Sequence, residues 1–261
     1  MPTVHEIEQA IFRMAPRELA ASWDNVGLLV GRLGREVTRV LVALDVTEAV
    51  ADEAIRLGCE LIVAHHPLMN CAWSPVQNIR DDTQQGRLLL KLTENGVAAI
   101  CMHTNLDAAE GGVNDALAAA LQLSDVELLG EGEGIGRMGV LPEAMSREAF
   151  LAHVGKCIHP NGLRWAGGSE TVRRVAVGGG ACGGFFPTAA EKGCDAFVTS
   201  DVKYNQFLDA ADMGLCLVDA GHYPTEDVVC PVLVRYLREQ FPALTVVKSD
   251  SHRELMQYVS F

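Results

Sequence analysis

Apolar runs of strand length alternate with segments of helical spacing along almost the whole chain. We predict helices from about Val4 to Met14, from Glu48 to Leu57 and from about Thr225 to Gln240, among others. The strand-like runs between the helical segments include RVLVALDVT, ELIVAHH, VAAICMHT, RRVAVGG, AFVTS and LCLVDAG. Strands that alternate with helices are typical of an α/β fold in which most strands are parallel.

Glycine and proline mark several boundaries of these elements. Gly96 is expected to end the helix in GRLLLKLTENG, since glycine commonly follows a helix end. Pro224 suits the entry of the last helix, whereas Pro231 falls inside that helix and is expected to kink it. The stretch Glu127–Gly136, rich in Gly and Glu, is the best candidate for a domain crossover.

Composition and charge narrow the class of protein. A chain of 261 residues can bury a full core, as one large or two modest domains. Its apolar runs are shorter than a membrane span of about 20 residues, and its beginning lacks the apolar region of a signal peptide, so we expect a cytoplasmic protein. The net charge of −13 disfavours nucleic-acid binding. The eight cysteines form no CxxC pair and are expected to be buried and reduced.

Five side chains of the metal-ligand type follow three of the apolar runs. Strand ends of open α/β sheets are where ligands collect. Three imidazoles and two carboxylates exceed the needs of one tetrahedral ion and favour two ions held close together. Nitrogen and oxygen donors without sulfur fit Zn, Mn, Fe or Co better than Ca or Mg. The five residues are His65, His66, Asp107, His222 and Glu226.

Each of these residues also has an ordinary structural interpretation. Neighbouring strand residues point to opposite faces, so His65 and His66 serve two ions most easily if the chain turns at Pro67. Otherwise they are strand-end histidines. Asp107, on a loop, alternatively accepts hydrogen bonds in a turn or a helix cap. Glu226 alternatively stabilises a helix start.

Further residues are candidates for the lining of the same site. His103 is a ligand, a general base or a group that orients the ligands, and we favour a lining role without coordination. Asp201, Lys203 and Tyr204 follow another strand, where they contact an anionic substrate or open a helix.

Two other motifs are weaker indicators of function. A GxGxxG pattern at Gly178, Gly180 and Gly183 follows a strand, but a lone motif of this kind is common, and we expect no nucleotide cofactor here. In WDNVGLLVG, Trp23 and Asp24 are placed on a loop before an apolar stretch, with Trp23 as a buried aromatic anchor.

The combination of motifs resembles a known family. SWDNVGLLVG, LVALDVT, VAHHPL, HTNLDAAEGGVNDALA, VAVGGG, SDVKY and GHYPTE occur in the order typical of the Nif-three-like dinuclear metal centre family, whose members are often called GTP cyclohydrolase one type two homologues. The motifs extend from Trp23 to Glu226, and the length is similar to that of the short form without an inserted middle domain. Two residue departures are Ser200 and Asn205, where relatives usually have Gly and His, and the Gly-rich turn reads GGGACGG where many relatives have Gly with several Ser.

The resemblance implies a fold, a ligand set and an assembly. The fold would be two related α/β domains with mostly parallel or mixed sheets flanked by helices, and a metal site in the interdomain cleft. We expect residues 1–126 plus 219–261 to form the domain that carries the ligands, and residues 127–218 to form the second. The five residues above would hold two divalent ions per subunit, with Glu226 touching both. The assembly would be a homo-hexamer, a trimer of dimers.

Two functions are compatible with the predicted metal site. The first is a metal-dependent hydrolase that acts on a nucleotide or a related small molecule through metal-bound hydroxide, with His103 moving protons and Lys203 or Tyr204 offsetting developing charge. The alternative is a non-enzymatic hexameric scaffold that binds metal or regulates a partner. A nucleic-acid-handling ring is disfavoured by the acidic charge.

Overall fold

The computed structural model describes residues 1–71, 75–130, 132 and 134–259 of the chain. Contacts between residues divide the chain into two compact units. The first unit comprises Met1–Glu110 and Cys230–Arg253, and the second comprises Gly111–Val229 and Glu254–Phe261.

The helices and strands alternate as the hydrophobic pattern predicts. The strands are β1 (Gly27–Val30), β2 (Arg39–Ala43), β3 (Leu61–Ala64), β4 (Ala98–Cys101), β5 (Ser124–Leu128), β6 (Arg137–Ser146), β7 (Arg164–Ala166), β8 (Thr171–Val177), β9 (Ala196–Thr199), β10 (Cys216–Asp219) and β11 (Thr245–Lys248). The α-helices are α1 (Val4–Met14), α2 (Glu48–Leu57), α3 (Gln84–Glu94), α4 (Thr104–Ala108), α5 (Val113–Ala120), α6 (Arg147–Ile158), α7 (Phe186–Glu191), α8 (Tyr204–Asp212), α9 (His222–Glu226) and α10 (Cys230–Gln240). Short 3-10 helices cover Arg17–Leu19, Gly183–Phe185 and Asp227–Val229.

The first unit is built on a sheet with the strand order β1-β4-β3-β2-β11. β11, β2, β3 and β4 run parallel, and β1 is antiparallel to β4. Every residue of β3 and β4 is buried, which explains why these strands are continuously apolar in the sequence. Because β2, β3 and β4 are parallel, the residues that follow them meet at one edge of the sheet.

The second unit has a mixed sheet with the order β5-β6-β8-β9-β10-β7. β8, β9 and β10 are parallel, whereas β5, β6 and β7 pair antiparallel to their neighbours. Helices α5 and α6 pack against β6 and β8, and the apolar residues between them form one core that includes Phe150 of α6 and Val175 of β8. The predicted α/β class with mixed sheets flanked by helices is confirmed.

The division into units lies at different positions from the predicted domain boundaries. It falls at Glu110 and again at Val229, so that α5 belongs to the second unit with its sheet. His222 and Glu226 therefore belong to the second unit, whereas His65, His66 and His103 belong to the first. The proposed crossover Glu127–Gly136 begins inside β5, which pairs with β6, and its residues Glu131 and Glu133 lie outside the described residues.

The prediction of one kinked helix from Thr225 to Gln240 was wrong. The segment contains α9, a 3-10 helix over Asp227–Val229, and α10. Pro231 is the second residue of α10, where the missing N–H has no helical partner to lose. The proline thus helps to begin a new helix.

The predicted burial of the cysteines is largely confirmed. Six of the eight are buried, and Cys157 and Cys182 are partly buried. Within the described part of the chain, none of the helices has the length and apolar character that a bilayer crossing requires.

Candidate metal centre

Three histidines converge at the sheet edge of the first unit. His65 and His66 follow β3, and His103 follows β4. One ring nitrogen from each of the three lies within 4.8 Å of the other two. The amides of His65 and His66 both donate to the carbonyl of Leu44, at 3.1 and 2.9 Å, so strand alternation ends before His65. This local turn lets two adjacent histidines share one site.

Each of the three imidazoles is held by a hydrogen bond at Nδ1. His65 Nδ1 lies 2.8 Å from the carbonyl oxygen of Met102, and His66 Nδ1 lies 2.8 Å from Asp45 Oδ1. His103 Nδ1 lies 3.0 Å from both carboxylate oxygens of Asp24. A carbonyl and an ionised carboxylate only accept, so the proton resides on Nδ1 and the lone pair on Nε2. This tautomer is the one in which an imidazole coordinates a metal through Nε2.

Asp107 adds a carboxylate to the histidine cluster. It lies in the short helix α4, and its Oδ1 is 3.6 Å from His65 Nε2. The placement on a loop was therefore wrong, because α4 begins directly after His103. Asp24 fixes the start of this helix by accepting hydrogen bonds from the amide and the hydroxyl of Thr104, at 2.9 and 2.5 Å.

Two aspartates whose role the sequence did not predict carry the negative charge behind the histidines. Burial raises the pKa of Asp24, but hydrogen bonds from His103 and Thr104 outweigh burial and hold the pKa well below its usual range. For Asp45 burial likewise raises the pKa, and hydrogen bonds from His252 and His66 lower it strongly. Asp45 follows β2 at the same sheet edge as His65 and His103, which is the one sequence feature that could have revealed it.

The second unit holds a matching histidine and carboxylate pair on α9. His222 Nε2 lies 3.0 Å from Glu226 Oε2, and His222 Nδ1 lies 2.7 Å from Asp201 Oδ2. Burial lowers the pKa of His222, but hydrogen bonds to Asp201 and Glu226 prevail and raise it to about 11. Two carboxylates around one imidazole thus stabilise a positive charge at this position, which a proton or a metal ion supplies.

The glycine-rich turn of the second unit fits closely around this pair. Gly180 has a φ of +63°, and a Cβ at this position would lie 1.9 Å from Glu226 Oε1 and 3.1 Å from His222 Nε2. The amide of Gly180 also donates to Thr225 Oγ1 at 3.0 Å. The central glycine of the GxGxxG pattern, Gly180, is therefore explained by its left-handed φ and by the approach of its backbone to Glu226.

The remaining candidates lie around the start of α8. Lys203 is the N-cap residue of α8, which leaves Asp201 as the partner of His222 and not a helix cap. Lys203 is exposed, and Tyr204 is 79% exposed. Of the two departures from the family pattern, Ser200 is fully buried and donates its amide to Gly180, whereas Asn205 is exposed.

The residues present fit a divalent transition-metal ion. Both clusters offer imidazole nitrogen and carboxylate oxygen as donor atoms. In each cluster, the histidines are oriented through Nδ1 by a fixed acceptor, as is usual for metal-binding histidines. The predicted ligands in each unit thus lie in clusters that could hold metal ions.

Comparison with known proteins shows a match along nearly the whole chain. A family model described as Duf34/NIF3 (NGG1p interacting factor 3) matches residues 2–254. A Streptomyces coelicolor protein named "GTP cyclohydrolase 1 type 2 homolog" is 37% identical over 250 residues, which cover 92% of this chain and 87% of the relative. A Lactococcus lactis protein of the same name is 35% identical over 219 residues, covering 81% and 82%.

Solved structures match the fold as well. A Bacillus cereus protein related to NIF3 has a TM-score of 0.93 at 28% identity and covers 99% of both chains. The Staphylococcus aureus protein SA1388 has a TM-score of 0.89 at 28% identity and covers 98% of this chain and 99% of its own. The sequence match and the fold together establish that this chain belongs to the DUF34/NIF3 family.

Proposed function

We propose that the chain is a dinuclear metal protein that works as a hydrolase on a nucleotide or a related small molecule. The chain would hold two divalent ions, of Zn, Mn, Fe or Co. The observation that carries the proposal is the common arrangement of His65, His66, His103 and His222, each with Nδ1 bound to an acceptor. Metal-binding histidines usually donate their second ring N–H to a carboxylate or a backbone carbonyl in this way, which fixes the ring and its tautomer. The ligands would be His65, His66, Asp107, His222 and Glu226.

The bound ions would supply a nucleophile at neutral pH and polarise the bond to be cleaved. His103, whose Nδ1 lies 3.0 Å from Asp24, is close to the ring nitrogens of His65 and His66, and it would accept and return a proton. Lys203 and Tyr204 are exposed side chains next to Asp201, where they would offset negative charge on a substrate.

The substrate class is supported only by the names of the relatives, which include GTP cyclohydrolase. We therefore propose a screen that includes nucleotides, phosphoesters and cyclic amides, with metal-loaded protein and an unbiased readout of metabolite depletion. The proposal expects turnover by the wild type, loss of turnover in Asp107→Ala and Glu226→Ala, and no loss in Glu191→Ala, an exposed carboxylate of α7.

The alternative function, a non-enzymatic metal-binding or regulatory scaffold, predicts a different result of the same screen. Stoichiometric metal binding without turnover of any compound would favour it. The metal dependence of the proposed homo-hexamer is a second measurement that distinguishes the two functions. If a chelator dissociates six copies of the 28.1 kDa chain and no substrate emerges, the metal serves assembly.

A further inference from the structure

His252, in the segment that follows β11, contacts Asp45, which in turn contacts the proposed metal ligand His66. We propose that His252 positions His66 for metal binding by acting through Asp45. The inference rests on the proposed function, because it concerns the affinity of the same site. It assigns to the end of the first unit a role in the metal centre.

A continuous line of contacts connects His252 with His66. His252 Nε2 lies 3.0 Å from Asp45 Oδ2, and Asp45 Oδ1 lies 2.8 Å from His66 Nδ1. The side chain of Asp45 is 41% exposed, so solvent competes for its oxygens. Asp24, which orients His103, is by contrast fully buried and also held by Thr104. Asp45 therefore depends on its second imidazole for a fixed orientation.

The turn that carries His252 is itself tied to the first unit. Glu53 on α2 is buried, and its carboxylate accepts hydrogen bonds from Ser249 Oγ at 2.5 Å and from the amide of Ser251 at 3.1 Å. The amide of Ser249 donates to the carbonyl of Val42 on β2 at 2.7 Å. Since β2 leads directly to Asp45, the turn and the carboxylate are fixed to the same strand.

The direction in which metal affinity changes on loss of His252 distinguishes a positioning role from a purely electronic effect on His66. Without His252, Asp45 would accept only from His66 and water, which by electronics alone would make His66 a stronger ligand. If His252 positions the carboxylate, its loss lets Asp45 rotate and frees the ring of His66. Positioning therefore predicts weaker metal binding, by about 10- to 100-fold, as is typical for groups that orient a ligand.

The test compares His252→Phe, which removes the donor, with His252→Gln, which keeps an N–H donor, in the full-length protein. Arg253→Ala is the matched control, an exposed neighbour in the same turn. Zn²⁺ affinity is measured by competition with a chelator. Separately, ¹⁵N NMR of the metal-free protein follows the ring nitrogens of His66, assigned with His66→Gln.

We expect His252→Phe to bind Zn²⁺ about 10- to 100-fold more weakly and to lose the single Nδ1–H form of His66, with partial recovery in His252→Gln and no change in Arg253→Ala. Unchanged or tighter binding together with an unchanged His66 ring would overturn the inference. If the wild type bound no metal at all, the proposed function would fail, and the NMR comparison would still decide whether His252 orients His66. Should His252→Phe not fold, His252→Gln and Asp45→Asn provide the same comparison.

Discussion

Replacement of Gly180 by alanine perturbs the metal site through the backbone alone. Gly180 has a φ of +63°, and an added Cβ would lie 1.9 Å from Oε1 and 2.9 Å from Cδ of Glu226. Because real Cβ contacts essentially never fall below 3.0 Å, the Glu226 carboxylate must move by about 1 Å or the turn must shift. Glu226 is only 4% exposed, which limits its alternatives.

The positive φ of Gly180 sets the expected loss of stability, and the displacement of Glu226 sets the expected loss of metal affinity. A left-handed φ costs a non-glycine residue roughly 1–2 kcal/mol. For a chain of this size, each kcal/mol lowers the melting temperature by about 2–4 °C, so we expect a decrease of about 2–8 °C. Displacing a ligand should weaken metal binding by at least the roughly 10-fold seen when a group that merely orients a ligand is lost.

The assay measures both quantities on Gly180→Ala and on a matched control. Gly184→Ala lies nearby in the 3-10 helix Gly183–Phe185, where an added Cβ would meet nothing within 4 Å beyond its own chain neighbours and no positive φ is required. Calorimetric unfolding of the metal-free proteins reports the backbone cost, and Zn²⁺ titration against a competing chelator reports the displacement of Glu226. We expect Gly184→Ala to match the wild type within about 0.5 kcal/mol.

Binding of Zn²⁺ by Gly180→Ala with the affinity of the wild type would contradict a role of Gly180 in the placement of Glu226. In that case Glu226 would tolerate the displacement or would not be a ligand. A melting temperature that falls equally in both variants would also contradict it, because the cost would then not come from Gly180 itself.

Three further predictions follow from single contacts. Asp201→Asn keeps a residue that tolerates the observed φ of +52° but weakens the acceptor of His222 Nδ1, so Zn²⁺ affinity by calorimetry should fall about 10-fold. Burial raises the pKa of Glu60, but hydrogen bonds from the amides of Thr38 and Arg39 outweigh burial and hold the pKa below its usual range. The ionised Glu60 therefore stabilises the folded state at a pH above its unfolded pKa of about 4.3. This stabilisation is lost as the pH falls through the pKa of Glu60 in the folded state. The urea stability of the wild type should therefore exceed that of Glu60→Gln at pH 6 by more than at pH 3.5, and an equal difference at both pH values would contradict this. Tyr236→Phe removes the hydrogen bond of 2.6 Å to the carbonyl of Ala10 and should cost about 1 kcal/mol in urea unfolding.

Buried strands made much of the fold predictable from the sequence. Every residue of β3, β4, β9 and β10 is buried, so these strands are continuous apolar runs whose ends are easy to locate. Because the site lies where such strands end, its histidines and carboxylates were also predictable. The family resemblance then added which of these residues would bind metal.

Edge elements and short helices were not predictable in the same way. β5 is exposed along its length and β7 is mostly exposed, so their sequences carry no apolar pattern. The five-residue helix α4 is too short to show helical periodicity. β1, at the edge of its sheet, was placed in an apolar stretch and not as a strand, and Trp23 before it, expected to be a buried anchor, is 48% exposed.

The partners of the histidines could not be predicted because tertiary contacts create them. Asp24 and His103 are 79 positions apart in the sequence, and Asp45 and His66 are 21 apart. No local pattern relates such residues. The pairing of β2 with β3 brings Asp45 behind His66, and the pairing of β1 with β4 brings Asp24, which precedes β1, behind His103.

The metal content of the purified protein shows whether each chain holds two divalent ions. Elemental analysis of the wild type, of Asp107→Ala and of Glu226→Ala, each after loading and removal of excess ion, measures the equivalents of divalent metal per chain. The account predicts about two equivalents of Zn, Mn, Fe or Co in the wild type and fewer in both variants, with unchanged unfolding of the metal-free chains. A wild type without stoichiometric metal, or variants that retain two equivalents, would contradict it.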